Sequence, residues 1–401
     1  MFKAYKFRIY PTKPQEEMLA KHFGCCRYVW NWALDRKNKA YAETGKTLFG
    51  NELILELPSM KARNEWLGDA YSQSLQSSIR NLDVAFTNFF RRVKEGTREV
   101  GYPKFKSKHR RQSCQFPQNA RADFESGVTA LPKLGKVRTI FERKFEGKVK
   151  TVTVSMETTG KFFVSFLVDN GKAMPEKEPI DPSKAIGIDL GLTNFLTTSN
   201  GEKVDNPRFL KGDAKKIARL DRRMRRKKKG GENRAKARQR LALAHEKSRN
   251  RRRDFLHKLS TRLVRENQAV CLEDLSVKGM MGNHKLARSI GDVAWGEFSS
   301  MLKYKSDWQG KHFVQIGRFD PSSKMCHECG GINRDLTLWD RAWSCPSCGA
   351  ELDRDINAAI NIRTMALTRQ NLIGKVPVDC RESTLGEIAN GRSMSQETHS
   401  L

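Results

Sequence analysis

Residues 184–201 read KAIGIDLGLTNFLTTSNG. The run AIGI is apolar enough for a buried strand, one acid, Asp189, interrupts it, and after Gly191 a second β-like run begins, so the segment reads as two short strands joined at that glycine. Two further stretches repeat the theme of an acid at the end of an apolar element. AVCLEDLS (269–276) finishes in acids beginning with Glu273, and CGAELDRDINAAINI (348–362) runs through Asp353 and Asp355 into a helix-like series of small residues. Asp355 stands where the helix dipole favours negative charge. Taken singly, Asp189 could be a turn residue, Glu273 a surface carboxylate and Asp355 a helix cap. Taken together, three acids at strand ends and a helix start are costly to assemble unless cations neutralise them. Two Mg2+ ions would do so, and would activate a water and stabilise the leaving oxygen of a phosphodiester. Strands alternating with helical patterns give an α/β class.

The charge names the partner. The chain has 401 residues with 75 Lys and Arg against 45 Asp and Glu, a net charge of +30. Such an excess suits nucleic acid, because neutralised phosphates release counterions. No apolar run approaches the roughly 18 residues of a spanning helix and MFKAYKFRIYP does not read as a signal peptide, so a soluble cytoplasmic protein with no membrane partner is expected. Between 211 and 253 lie twenty Lys/Arg and four Asp/Glu, in a helical pattern broken at Gly230-Gly231. That imbalance is too large for mutual salt bridging, and Arg222, Arg223 and Arg226 are candidate phosphate contacts. VGYPKFKSKHRRQSCQF (100–116) interleaves Lys104, Lys106, Lys108, Arg110 and Arg111 with Tyr102, Phe105 and Phe116, which reads either as a phosphate-binding loop with stacking platforms or as a solvated edge strand.

Cys326, Cys329, Cys345 and Cys348 form C-x2-C-x15-C-x2-C, the spacing of a four-cysteine zinc ribbon. A closed set of four sulfurs leaves no position for substrate, so Zn2+ here would be structural. The other five cysteines follow no disulfide pattern. At the N-terminus KAYKFRIYP alternates as a strand, with Tyr5, Phe7 and Ile9 on one face. Helical spacing follows from Pro14 to about Phe90, clearest in Leu75, Ile79, Leu82, Phe86 and Phe89. VKTVTVSM and KFFVSFLVD, separated by ETTG, read as a hairpin in a small barrel or sheet, and a polar, Pro-containing connector places a domain boundary near Asp181.

GIDLGLTNFLTTSNG, VCLEDLSVKGM and DRDINAAINI resemble the three split motifs of a RuvC-type nuclease of the RNase H-like fold. With the ribbon between the second and third, and YKFRIYPTKPQEEMLAKHFGCCRYVWNWAL at the start, the chain resembles the TnpB (OrfB) family from its first residues to about Ala366. The resemblance implies an RNA-guided DNA endonuclease of an insertion sequence, related to the type V CRISPR nucleases. Its partners would be a guide RNA from the transposon end and double-stranded target DNA, with a separate transposase for strand transfer. Carried over by motif, Asp189, Glu273 and Asp355 are the catalytic acids; Asp353 stands two residues early for the D-x-N-A-A pattern.

The same resemblance divides the chain into a wedge-like β-barrel (1–10 and 101–180), a helical recognition lobe (11–100), a RuvC-like domain (181–317 and 353–380) carrying the basic segment 211–253, the ribbon (318–352) and a disordered tail (381–401). It assigns Gln76 a role in reading a short motif beside the target, and gives the loop 104–111 and the basic segment to the guide and its hybrid with DNA. The competing readings are a nucleic-acid-binding regulator that has lost its metals, which a missing carboxylate would mark, and a strand-transfer transposase.

Overall fold

The computed structural model describes residues 1–96, 100–109, 111–337 and 339–372. The chain forms two compact units, Met1–Ala173 and Met174–Leu401.

In the first unit, strand β1 (Phe2–Tyr10) leads into helix α1 (Lys13–Thr44). Gln15 caps the helix by accepting from the Thr12 backbone N–H at 3.0 Å, and Gly45 ends it in the left-handed region at φ 68°. Two short helices, α2 (Gly50–Leu55) and α3 (Leu57–Arg63), precede α4 (Ser72–Lys94). Six strands follow: β2 (Gln112–Phe116), β3 (Arg121–Asp123), β4 (Val128–Leu131), β5 (Gly135–Ile140), β6 (Lys148–Met156) and β7 (Phe162–Asp169). They pair with β1 in one antiparallel sheet of order β2-β6-β7-β1-β5-β4-β3. A barrel was the expectation. Among the described residues the pairing runs in one line from β2 to β3, a seven-stranded sheet in which closure into a barrel is not shown. The core lies between this sheet and the apolar faces of α1 and α4, where Phe7, Ile9, Leu75, Ile79, Leu82, Phe116 and Phe166 are buried.

In the second unit β8 (Ala185–Leu190), β9 (Asn194–Thr198) and β10 (Lys203–Asp205) form an antiparallel meander. Helices α5 (Phe209–Arg225) and α6 (Glu232–Glu266) come next, and the break between them uses Gly230 at φ 85°, where a side chain would be strained. Then come β11 (Ala269–Glu273), α7 (Val277–Met280), α8 (Ala287–Val293), α9 (Trp295–Trp308) and β12 (His312–Ile316). The sheet order is β10-β9-β8-β11-β12, with β11 parallel to both β8 and β12. A hairpin of β13 (Ala342–Ser344) and β14 (Glu351–Asp353) leads into α10 (Arg354–Arg369). The core joins the sheet to α6, α8 and α9 through Ile188, Phe195, Leu256, Leu272, Ile290 and Phe298. The carboxylate of Asp292 on α8, 8% exposed, accepts from the Leu210 backbone N–H at 2.8 Å and so caps the start of the basic helix α5. Among the described residues, no helix is long and apolar enough to cross a membrane.

Candidate active site and cysteine ribbon

The parallel pairing of β8 with β11 sets Ile188 opposite Leu272. One step further, at the carboxyl ends of both strands, stand Asp189 and Glu273, on the same face because in-register parallel neighbours point alike. In open α/β sheets this is the end where ligands bind. The identity of that face follows from Gly187. A Cβ at this glycine would lie 2.0 Å from the Ala359 carbonyl oxygen and 2.8 Å from the Arg363 nitrogen, so α10 rests directly on β8 there. Residue 189 is two along from 187 and shares its face, and Asp355 lies one helical turn before Ala359. All three acids therefore belong to the layer between β8 and α10, and all three are half-buried.

The two neighbouring aspartates separate by role. Asp353 is the helix cap: its Oδ1 accepts from the backbone N–H groups of Asp355 at 3.1 Å and Ile356 at 3.0 Å, and its Oδ2 from Lys203 at 2.6 Å. Burial would raise its pKa, but Lys203 and the two amides outweigh that and hold the carboxyl below the usual range. Asp355 is left for other work. Its Oδ1 faces Arg354 at 3.4 Å and Arg341 of the ribbon at 3.5 Å. Sequence reading missed both arginines, since only the β13–β14 hairpin, which pairs Ala342 with Asp353, brings residue 341 to this helix start.

The four cysteine sulfurs all lie within 4.8 Å of one another, with Cys326 to Cys348 at 3.8 Å and Cys329 to Cys345 at 3.6 Å. A tetrahedral ion holding sulfur at about 2.3 Å spaces its ligands about 3.8 Å apart, so the cluster fits structural zinc. Among the described residues it is the one such group, and the three carboxylates do not draw to that mutual distance. Magnesium asks less, because it retains waters and is commonly held by one or two carboxylates, so a half-buried, all-oxygen set suits it by donor chemistry. The ribbon is fastened to α10 by two asparagines, each 1% exposed. Asn357 donates to the Met325 carbonyl at 2.7 Å and accepts from the His327 N–H at 2.9 Å, and Asn361 donates to Ser322 and Met325 carbonyls.

The candidate phosphate contacts lie elsewhere. Arg222, Arg223 and Arg226 are exposed at the end of α5, a helix without a single buried residue. Lys104, Lys106, Lys108 and Arg111 are in exposed positions, and Arg110 lies outside the described residues, as does the tail 381–401. The loop is stapled to α1: Trp30 donates to the Lys104 carbonyl at 3.1 Å and Asn31 exchanges hydrogen bonds with the Lys106 backbone. The Lys106 ammonium sits 3.6 Å from the Trp30 ring centroid, and burial there lowers its pKa. Of the three rings read as stacking platforms, Tyr102 and Phe105 are exposed, whereas Phe116 is fully buried as the end of β2 and serves the core. Gln76 is half-buried on α4.

The second unit thus sets Asp189 and Glu273 at adjoining strand ends and Asp355 at the start of α10, the helix to which the four-cysteine ribbon is fastened. Family models match as "Probable transposase" of the OrfB/IS605 type over 154–284, "Cas12f1-like, TNB domain" over 295–362 and "Helix-turn-helix domain" over 1–46. The chain belongs to the OrfB family of IS605-type elements, also called TnpB. A relative from Streptomyces pristinaespiralis is 40% identical, over 91% of this chain and 89% of its own, and one from Escherichia coli K12 is 30% identical, over 98% and 96%. Both are named "Putative RNA-guided DNA endonuclease", the second with the symbol InsQ. The cryo-EM structure of a Cas12f1–sgRNA–target DNA complex aligns with 90% of this chain and 98% of its own, at TM-score 0.47 and 14% identity.

Proposed function

We propose that this chain is an RNA-guided DNA endonuclease that hydrolyses phosphodiesters at Asp189, Glu273 and Asp355, with Mg2+ held by these carboxylates. The observation that carries the reading is the register of β8 against β11, which sets Asp189 beside Glu273 on the face covered by α10. The order β10-β9-β8-β11-β12, antiparallel and then parallel, is that of an RNase H-like domain, and supports assigning the second unit to a RuvC-like nuclease with the ribbon inserted. The first unit would then hold the strands of the wedge segments (1–10 and 101–180), which end at Asp169, with the recognition helices (11–100) inserted.

The bound ions would supply an activated water and charge neutralisation at the leaving oxygen. The chain's residues do the rest. Asp353 fixes the first turn of α10, so that Asp355 presents its carboxylate at a set position. Arg341 and Arg354 bring positive charge to the same carboxylate and are placed to hold a DNA phosphate against it. Arg222, Arg223, Arg226, Lys104, Lys108 and Arg111 would grip guide and hybrid through phosphates, Gln76 would read the flanking motif, and base pairing would supply target sequence. The guide would come from the transposon end, and a separate transposase would perform strand transfer.

The test uses protein copurified with its RNA and a plasmid library with randomised flanks. Asp189→Asn and Glu273→Gln should each reduce cutting by at least 100-fold, about 2.7 kcal/mol or more of barrier, while the same RNA still copurifies. Undiminished cutting by either variant would remove the assignment, and joined transposon ends without guide RNA would replace hydrolysis by strand transfer.

A further inference from the structure

Tryptophan is costly to leave in water, and five of the seven in this chain are buried or half-buried, while Trp66 is 46% exposed. Trp339 is the most exposed of them at 72%. The contrast within its own ribbon is instructive. Trp343, four residues on, is 8% exposed and packs with Cys326, Cys345, Leu336 and Leu352, so the ribbon already has its aromatic core residue.

Trp339 is flanked by two residues that bond to each other, Thr337 and Asp340. Asp340 Oδ2 accepts from both the backbone N–H and the hydroxyl of Thr337 at 2.8 Å, and the Asp340 N–H returns to the Thr337 carbonyl at 3.3 Å. The turn is also tied to the acid site by one guanidinium. Arg354 donates to the Thr337 carbonyl at 3.4 Å and to Asp355 Oδ1 at 3.4 Å, while its backbone N–H donates to the Arg341 carbonyl at 2.9 Å. A single arginine thus spans the distance between the turn that carries Trp339 and the carboxylate of Asp355, and Arg341, two residues from the tryptophan, reaches that same carboxylate.

We infer that Trp339 is a positioning residue for the DNA strand being cut: its indole stacks on an unpaired base next to the phosphate that Arg341 and Arg354 draw to Asp355. Trp339 stands two residues from Arg341 and next to the turn whose Thr337 carbonyl accepts from Arg354. An aromatic ring combined with cations is how single-stranded nucleic acid is held without sequence preference, the ring taking the base and the cations the phosphate. Stacking there would fix the strand's register relative to the acids.

This inference rests on the proposed nuclease activity, so the first readout avoids cleavage. Fluorescent single-stranded DNA, unpaired with the guide, is titrated into the full RNA-loaded protein in EDTA at raised salt, where bulk phosphate attraction is suppressed. Trp339→Ala should weaken binding roughly 5- to 100-fold, the loss of one base stack, and Trp339→Phe should recover most of it. An oligonucleotide with one abasic position moved along it should weaken wild type at a single position and leave Trp339→Ala insensitive there. Zinc content equal to wild type shows that the ribbon is intact in both variants. With Mg2+ restored, Trp339→Ala should spread the cut site over neighbouring phosphates. Equal DNA affinity for wild type and Trp339→Ala, or a phenylalanine variant no better than alanine, would overturn the inference. Wild-type protein that binds DNA with these properties but never cuts would instead overturn the nuclease reading.

Discussion

At the scale of the residue, chemistry was readable wherever a side chain had few alternatives. Four cysteines at ribbon spacing announce themselves, because four converging thiolates need a cation, whereas each acid at the end of an apolar run also has an ordinary reading as turn, surface or cap. Which of Asp353 and Asp355 caps the helix could not come from composition, since both are aspartates at a helix start; the amide hydrogen bonds make Asp353 the cap. Lys305 was invisible for the opposite reason, being one lysine among many. It is 8% exposed on α9, and its ammonium donates to the His257 carbonyl at 2.8 Å and to the hydroxyls of Ser260 and Thr261 at 2.7 Å. Burial pushes its pKa down to about 8 from 10.5. The unfolded chain therefore binds more protons between those values, and Lys305 should make stability rise with pH from about 8 to 10.5. Lys305→Met, compared with wild type by urea midpoint, should lose ground progressively across that window, by no more than about 3 kcal/mol in all. A difference that stays constant with pH would show that the ammonium is not desolvated.

At the scale of the element, periodicity located strands and helices but not their partners. The alternation in β1, β6 and β7 and the three-four spacing of α4 are local properties, whereas the strand order β2-β6-β7-β1-β5-β4-β3 depends on where strands lie in space and was not legible from them. Gly187 shows the same limit. As a letter it is a weak point in a strand, and only the arrival of α10 at 2.0 Å from its would-be Cβ explains it. The asparagines of DRDINAAINI were read only as family pattern, yet they bolt the ribbon to α10. Replacing Asn357 by Ala strands the half-buried His327 N–H and leaves the Met325 carbonyl to Asn361 alone. A cost of about 1–3 kcal/mol is expected. It should be seen as faster zinc loss to a chelator in the Asn357→Ala protein, with RNA still bound. Zinc release at the wild-type rate would mean that the ribbon is held by its own core alone.

At the scale of the whole molecule the decisive quantity is the charge, and it is unevenly spent. Residues 211–253 carry sixteen of the thirty excess positive charges, twenty Lys/Arg less four Asp/Glu. The structure puts part of this on α5, where nothing is buried, and anchors that helix by Asp292 at its start and by packing on α6. A helix with no core of its own is retained for its outer face. If that face holds guide RNA through phosphates, each cation contributes its own counterion release, and the slope of log affinity against log salt counts them. Replacing Arg222, Arg223 and Arg226 together by Gln should flatten that slope by about 2 to 3 and weaken binding about equally for RNAs of different sequence. The measurement is a filter-binding salt series on RNA-stripped full-length protein. The two quantities answer different questions: an unchanged slope would place the RNA elsewhere on the molecule, while a changed slope with strong dependence on RNA sequence would make these arginines readers of bases.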